Sequence, residues 1–267
     1  VISPDAQLYI YELHGPVGNL LPSTPASFLG LWNEEDFSYL FFVEPADEYV
    51  RDVVHQTGYV LGSRHEMAYR DWQEGLPPSG VTLAGVTFIP GDYPSAPARA
   101  VLLDPSVVFG DGNHPTTRAC LEIMRELVDE RGIRSMLDLG TGTGILALAG
   151  AAMGIQRVVA VDRNELAFQT ACENVTRNGL SEIIKVHLGE ARFFLDRTFD
   201  LVVANLPFQV LRDLLVLSGV DAQAAWIVSG VNEKQAETLQ DLLREQHYVM
   251  LEERKDSPWM TFAAARR

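Results

Sequence analysis

From Ala100 to the C-terminus, short apolar runs alternate with helical patterns. SMLDL precedes ILALAGAAM, and VVAVD precedes ELAFQTACENVTRNG. IIKVHL is followed by a short segment, DLVVAN precedes QVLRDLLVL, and AAWIVSG precedes EKQAETLQDLLREQ. YVMLEERK and WMTFAAA close the chain. The strand candidates are almost continuously apolar, the pattern of strands buried on both faces, and most are separated by the helix that a parallel crossover needs. This rhythm predicts an α/β fold: a parallel sheet covered by helices on both faces. The last two runs have no helix between them. They should form a hairpin through Lys255, Asp256, Ser257 and Pro258, leaving one antiparallel strand among seven.

Residues 1–98 have another texture, rich in Pro, Gly and aromatics with short mixed elements. Phe37 to Val43 reads as a buried strand, and Ala46 to Gln56 as a short amphipathic helix. GLPPSG and IPGDYPSAPAR read as turns and linker, with strands in VTLAGVTFI between them. The expected division is a smaller N-terminal α+β domain with its linker over 1–98 and the α/β domain over 99–267. The chain of 267 residues, 47% apolar, is long enough to bury a substantial core. Its net charge of −15 speaks against affinity for nucleic acid, which needs Lys/Arg stripes, and suits a basic protein partner. Two distant cysteines, Cys120 and Cys172, give neither a disulfide framework nor a zinc cluster. VISPDAQLYIYELHG lacks the basic start of a secretory leader, and GILALAGAAMG is too short to span a bilayer. A cytoplasmic location is expected.

Chemistry concentrates in SMLDLGTGTG, where a strand runs into Asp138 and then Gly140, Gly142 and Gly144 before a helix. Ligands of open α/β sheets sit at the carboxyl ends of the strands, and glycines let the backbone approach them. A dinucleotide fingerprint would need its third glycine where Ile145 stands, and a P-loop would need a lysine. The pattern D-x-G-x-G-x-G resembles motif I of S-adenosylmethionine (SAM) dependent methyltransferases. Asp162, at the end of the second strand, suits both ribose hydroxyls, or else caps the following helix. Glu190, after the third strand, resembles the residue at the adenine edge, or else is an ordinary cap.

The fourth strand ends in Ala204, Asn205, Leu206, Pro207 and Phe208, similar to the N-P-P-F/Y signature of N-methyltransferases with Leu206 in place of the first proline. Methyl transfer needs the nitrogen lone pair held about 3–3.5 Å from the sulfonium methyl, in line with the departing sulfur. The Asn205 oxygen and the Leu206 carbonyl can accept N–H bonds from the substrate, Pro207 fixes the turn, and Phe208 can pack on an aliphatic chain or flat ring. These four are the candidate catalytic residues. The bland alternative is a strand end followed by a turn.

Upstream lies VVFGDGNHPTTRAC, Val107 to Cys120. Pro115 suits a first helical turn and holds His114 in extended dihedrals, so His114 or Asn113 caps a helix whose apolar stripe runs Cys120, Ile123, Met124, Leu127, Val128. His114 has no further ligands at metal spacing, so no metal is expected. A catalytic-base role for it stays open beside a cap and cofactor lid, the preferred reading. Taken in order, DPSVVFGDGNHPTT, LDLGTGTGILALA, VVAVDRNELA, VVANLPF and IVSGVNEKQAE are similar to the PrmA family, methyltransferases acting on lysine and α-amino groups of the eleventh protein of the large ribosomal subunit. A faint echo, DWQEG near Asp71, extends the resemblance upstream.

The resemblance implies a seven-stranded Rossmann-like fold, SAM as cofactor and S-adenosylhomocysteine as product. It places cofactor contacts at Phe109, Thr116 and Thr117 of the opening loop and at Asp138, Gly140, Thr141 and Gly142. Further contacts fall at Asp162 and Arg163, at Glu190 and Ala191, and at Asn205, which also lies beside the substrate nitrogen. The family loop reads D-P-G-x-A-F-G-T-G-x-H-x-T-T, so Ser106 and Asp111 stand where Gly and Thr are expected, and N-L-P-F stands where the family reads N-I-L. The expected activity is N-methylation of a protein lysine or amino terminus, with a ribosomal protein among the substrates and the N-terminal domain selecting it. Alternatives are N-methylation of a nucleic acid, glutamine or small molecule, or SAM binding without catalysis.

Overall fold

The computed structural model describes residues 2–3, 5–34, 36–93, 97–217 and 224–266. The chain opens with β1 (Gln7–His14), β2 (Phe28–Asn33), β3 (Phe37–Phe42), α1 (Asp47–Thr57) and β4 (Val60–Ala68), followed by the single turn α2 (Tyr69–Trp72). The four strands form an antiparallel sheet in the order β2-β3-β1-β4. Tyr11, Leu13, Leu40 and Phe42 pack on Val50 and Val53 of α1. On the opposite face, Leu8, Ile10 and Phe41 pack against Val107, Val108, Leu166 and Ala167. The expected strand at 37–43 and helix at 46–56 are therefore β3 and α1, whereas β1, β2 and β4 had no sequence assignment.

A small sheet follows. β5 (Val81–Leu83) and β6 (Val86–Pro90) make a hairpin within VTLAGVTFI, and β7 (Val101–Leu103) runs parallel to β6. Val86 and Phe88 on one side of residue 98, and Val101 and Leu103 on the other, share one core with the helices described next. Residues 94–96 of the expected linker lie outside the described residues.

The remainder alternates as its sequence rhythm predicts: α3 (Pro115–Arg131), β8 (Ser135–Leu139), α4 (Ile145–Ala152), β9 (Arg157–Asp162), α5 (Glu165–Arg177), β10 (Ile184–Leu188), β11 (Leu201–Asn205), α6 (Phe208–Leu217), β12 (Ala225–Asn232), α7 (Glu233–Glu245), β13 (Tyr248–Asp256) and β14 (Trp259–Arg266). The seven strands lie in the order β10-β9-β8-β11-β12-β14-β13. β14 pairs antiparallel with both neighbours, through the hairpin expected at residues 255–258, while the other pairs are parallel. Strand order reverses between β8 and β11, so a crevice opens at their carboxyl ends. One face of this sheet, with α3 and α4, is lined by residues such as Met136, Val158 and Ile227; the other, with α6 and α7, by Leu137, Val202 and Trp226. Among the described residues no helix is long and apolar enough to cross a membrane. Cys120 and Cys172 are free thiols, and burial pushes the Cys120 thiol up to about 12.

Candidate active site

The glycine loop is built by three left-handed residues: Gly140, Gly142 and Gly144 have φ of 73°, 57° and 85°. A Cβ on Gly140 would stand 2.2 Å from Leu206 Cδ2, and one on Gly142 would stand 2.6 Å from the Phe109 carbonyl oxygen. Glycine is thus required twice over, by dihedral angle and by space. The Gly140 and Thr141 amides donate to the Val161 carbonyl at 2.8 and 3.0 Å, which ties the loop to the end of β9. Asp138 is 1% exposed and receives the Thr141 hydroxyl on Oδ2 at 2.6 Å, while its Oδ1 is buried without a hydrogen bond of good geometry. Burial pushes its carboxyl up to about 7, with the Thr141 hydroxyl pulling down and the Asp162 carboxylate pushing up.

Asp162 ends β9 beside this loop. Its Oδ2 accepts the Gly142 amide at 3.0 Å and its Oδ1 accepts the Asn164 amide at 2.9 Å. The cap of α5 is Asn164, whose side chain takes the Leu166 and Ala167 amides, so Asp162 is not spent as the cap. Burial raises the Asp162 carboxyl, and the amides of Asn164 and Gly142 act against that rise. Arg163 turns away from the loop and pairs with Glu34 after β2 at 3.0 Å. Glu190 is exposed and starts the 3-10 turn Ala191–Phe194 without a side-chain capping bond.

Asn205 ends β11, and its Nδ2 donates to Thr116 Oγ1 at 3.1 Å. Thr116 Oγ1 lies 2.7 Å from His114 Nδ1, which also accepts the Thr116 amide at 3.3 Å and so caps α3. Thr116 and Thr117 are each 1% exposed, and the Thr116 hydroxyl is engaged on both sides. Leu206 and Phe208 pack on the core face that carries α6 and α7, and Pro207 begins the turn into α6. The Leu206 peptide lies flat on Gly230, where a Cβ would stand 2.4 Å from the Leu206 oxygen.

The opening loop is clamped over the glycine loop. The Thr143 amide donates to the Phe109 carbonyl at 3.3 Å, and its hydroxyl donates to the Gly110 carbonyl at 2.7 Å. Phe109, half exposed, and Trp259 meet the His114 ring edge-on at 5.3 and 5.0 Å. Beside them opens a cleft of about 410 Å³ lined by Trp72, Glu74, Phe109, Asp111 and His114 among others. The structure therefore brings Phe109, Thr116, Asp138, Gly140, Thr141, Gly142, Asp162 and Asn205 to the ends of three strands. It leaves Arg163 engaged outward, and Glu190 and Ala191 at the third strand's end.

The sequence model of the ribosomal protein L11 methyltransferase (PrmA) family matches residues 60–267. The chain belongs to this family. The L11 methyltransferase of Desulforamulus reducens is 36% identical over 174 residues, 64% of this chain and 56% of the relative. That of Sorangium cellulosum is 37% identical over 179 residues, again 64% and 56%. The chain thus spans about half the length of the curated relatives it matches. The crystal structure of the L11 methylase from Lactobacillus delbrueckii subsp. bulgaricus superposes with a TM-score of 0.60 at 27% identity, over 68% of this chain and 95% of that one.

The departures from the PrmA loop have local causes. Ser106, at the family's glycine position, keeps a positive φ of 49°. Asp111, at the threonine position, accepts the Gly75 amide at 3.1 Å and the Asn113 amide at 2.9 Å, and Asn113 Nδ2 bridges back to the Gly75 carbonyl at 2.9 Å. The DWQEG echo meets the same loop: Trp72 Nε1 donates to the Val107 carbonyl at 3.0 Å, and Gln73 to the Ser106 carbonyl. Trp72, Trp259 and Gly230 had no assigned role in the sequence. Trp72 and Gly230 lay within quoted motifs, DWQEG and IVSGVNEKQAE, whereas nothing local marks Trp259.

Proposed function

We propose that this PrmA-family chain binds SAM at the carboxyl ends of β8, β9 and β11 and transfers its methyl group to an amine of a protein, with ribosomal protein L11 as the acceptor. The observation that carries the reading is the convergence of a bare glycine loop, Asp162 and Asn205 at one switch point of the sheet. The residues present fit the cofactor. The left-handed glycines bring the loop backbone to the ends of β8 and β9, and the Asp162 oxygens keep lone pairs beyond the amides they accept. When bound, SAM supplies an electrophilic methyl carbon on a sulfonium.

The chain's own residues do the rest. Asp162 would hold the ribose hydroxyls, Glu190 and Ala191 the adenine edge, and Asp138 and Thr141 the loop itself. Asn205 gives Nδ2 to Thr116, and among the described residues its Oδ1 accepts nothing, which leaves that oxygen for an N–H of the acceptor. One hydrogen bond there orients the nitrogen lone pair toward the methyl. A lysine ammonium must lose its proton first, and desolvation beneath the opening loop favours the neutral amine. No stronger base is required. Phe208 is half-buried and packs against the core face that carries α6 and α7.

Residues 1–98 act as the substrate-recognition part, and the acidic balance of the chain, −15, suits a basic ribosomal protein made in the cytoplasm. The test is incubation with methyl-labelled SAM and purified L11. Label in L11, lost in Asn205→Ala while SAM still binds, supports the reading. SAM binding with no transfer to L11 or to any other ribosomal protein would leave a binding protein instead.

A further inference from the structure

We infer that His114 is a positioning residue that fixes which end of the Asn205 amide faces the substrate, acting through Thr116. The consequence for turnover rests on the methyl transfer proposed above; the relay itself does not.

The fixed point is a backbone amide. Thr116 N–H can only donate, and it points at His114 Nδ1, 3.3 Å away. Nδ1 must therefore be an acceptor, which makes His114 the neutral tautomer with its proton on Nε2. The Thr116 hydroxyl, 2.7 Å from the same nitrogen, then donates the main hydrogen bond to the single Nδ1 lone pair, which the longer amide contact shares. Only lone pairs remain on Oγ1, so the group 3.1 Å beyond it must be a donor, Asn205 Nδ2. Oδ1 is left toward the acceptor. The direction of each bond follows from the one before, across the 89 residues that separate Thr116 from Asn205.

Protonation of His114 reverses the chain. A proton on Nδ1 opposes the Thr116 amide and donates to Oγ1, whose own proton swings toward Asn205. The amide then turns, offering NH2 where the substrate N–H needs an acceptor. Around the ring stand Phe109 and Trp259, with Asp111 and Glu74 lining the same cleft and Arg118 bound to the Gly112 carbonyl on the next turn. Burial lowers the His114 pKa below 6.5, with Asp111 opposing, so the ring is neutral at physiological pH.

The first test needs no cofactor. Nitrogen-15 spectra of the full chain should show His114 protonated on Nε2, and the Asn205 side-chain amide signals should shift with the same midpoint as the His114 ring. In Thr116→Val, which keeps the helix cap, Asn205 should cease to follow His114. With saturating SAM and L11, Thr116→Val should lose about 100-fold in kcat, and Thr116→Ser should recover most of it. His114→Asn, which keeps an acceptor, should rescue turnover lost in His114→Ala and remove the His114 step from the pH profile, leaving only the limb set by the substrate amine. A proton on Nδ1, Asn205 signals blind to the His114 titration, or full kcat in Thr116→Val would overturn the inference. Failure of the wild type to bind SAM would instead remove the proposed function and leave the spectra to judge the relay.

Discussion

Asp138 is a carboxylate enclosed by the β8 strand end, with one oxygen satisfied by Thr141 and the other by nothing of good geometry. Its folded-state pKa, about 7, lies above the usual 3.8. The folded chain therefore holds a proton there that the unfolded chain releases, and this contribution to stability is complete below about pH 4 and is lost as pH rises toward 7. Asp138→Asn should be more stable than the wild type at pH 8 by a few kcal/mol, with the gap closing toward pH 5, as urea unfolding across that range would show. Gly140→Ala combines a positive φ with a collision at Leu206; it should cost about 1–2 kcal/mol and weaken SAM binding, read by thermal melts and calorimetry. At this scale the glycine loop, Asp162 and Asn205 were legible, because each closes a strand whose apolar run marks its end. The Thr116–Asn205 bond was not, since no local pattern encodes a contact 89 residues long. Nor was the pairing of Arg163 with Glu34, which follows β2 and lies 129 residues away.

Among the elements, the parallel strands were readable because both their faces are buried and helices separate them. β1 was missed for a physical reason. Leu8 and Ile10 face one core and Tyr11 and Leu13 the other, so no apolar–polar contrast marks the strand, and no α-helix directly follows it to set it in a regular rhythm. β4 is an edge strand, largely exposed, and VLGSRHEMA carries little apolar signal. β7 is three residues long. Two predictions belong here. Asn232 and Gln235 form a reciprocal cap on α7, so Asn232→Ala should cost about 1 kcal/mol and lower Tm by about 2–4 °C. Gly30 lies where a Cβ would stand 2.4 Å from Leu166 Cδ1, at the seam between β2 and α5. Gly30→Val should therefore loosen the N-terminal sheet, detected as faster limited proteolysis before residue 60 with the seven-stranded sheet intact.

For the molecule as a whole, the N-terminal sheet, the β5–β7 sheet and the α/β part meet around one loop, residues 104–114. Tyr69, Trp72 and Gln73 hold it from one side, Asn174 of α5 from below, and Thr143 from the glycine loop. A composition change near residue 98 could not reveal this, because Phe88 and Val101 pair across it. The family match, residues 60–267, takes in both this loop and the Tyr69–Gln73 segment that holds it. The proposed function depends on the glycine loop and Asp162 holding SAM. The measurement that tests it most directly is calorimetric titration of SAM and of S-adenosylhomocysteine into the wild type and Asp162→Ala. Micromolar binding of both ligands that Asp162→Ala abolishes is the predicted result. No binding to the wild type, or equal binding to the variant, would contradict the account.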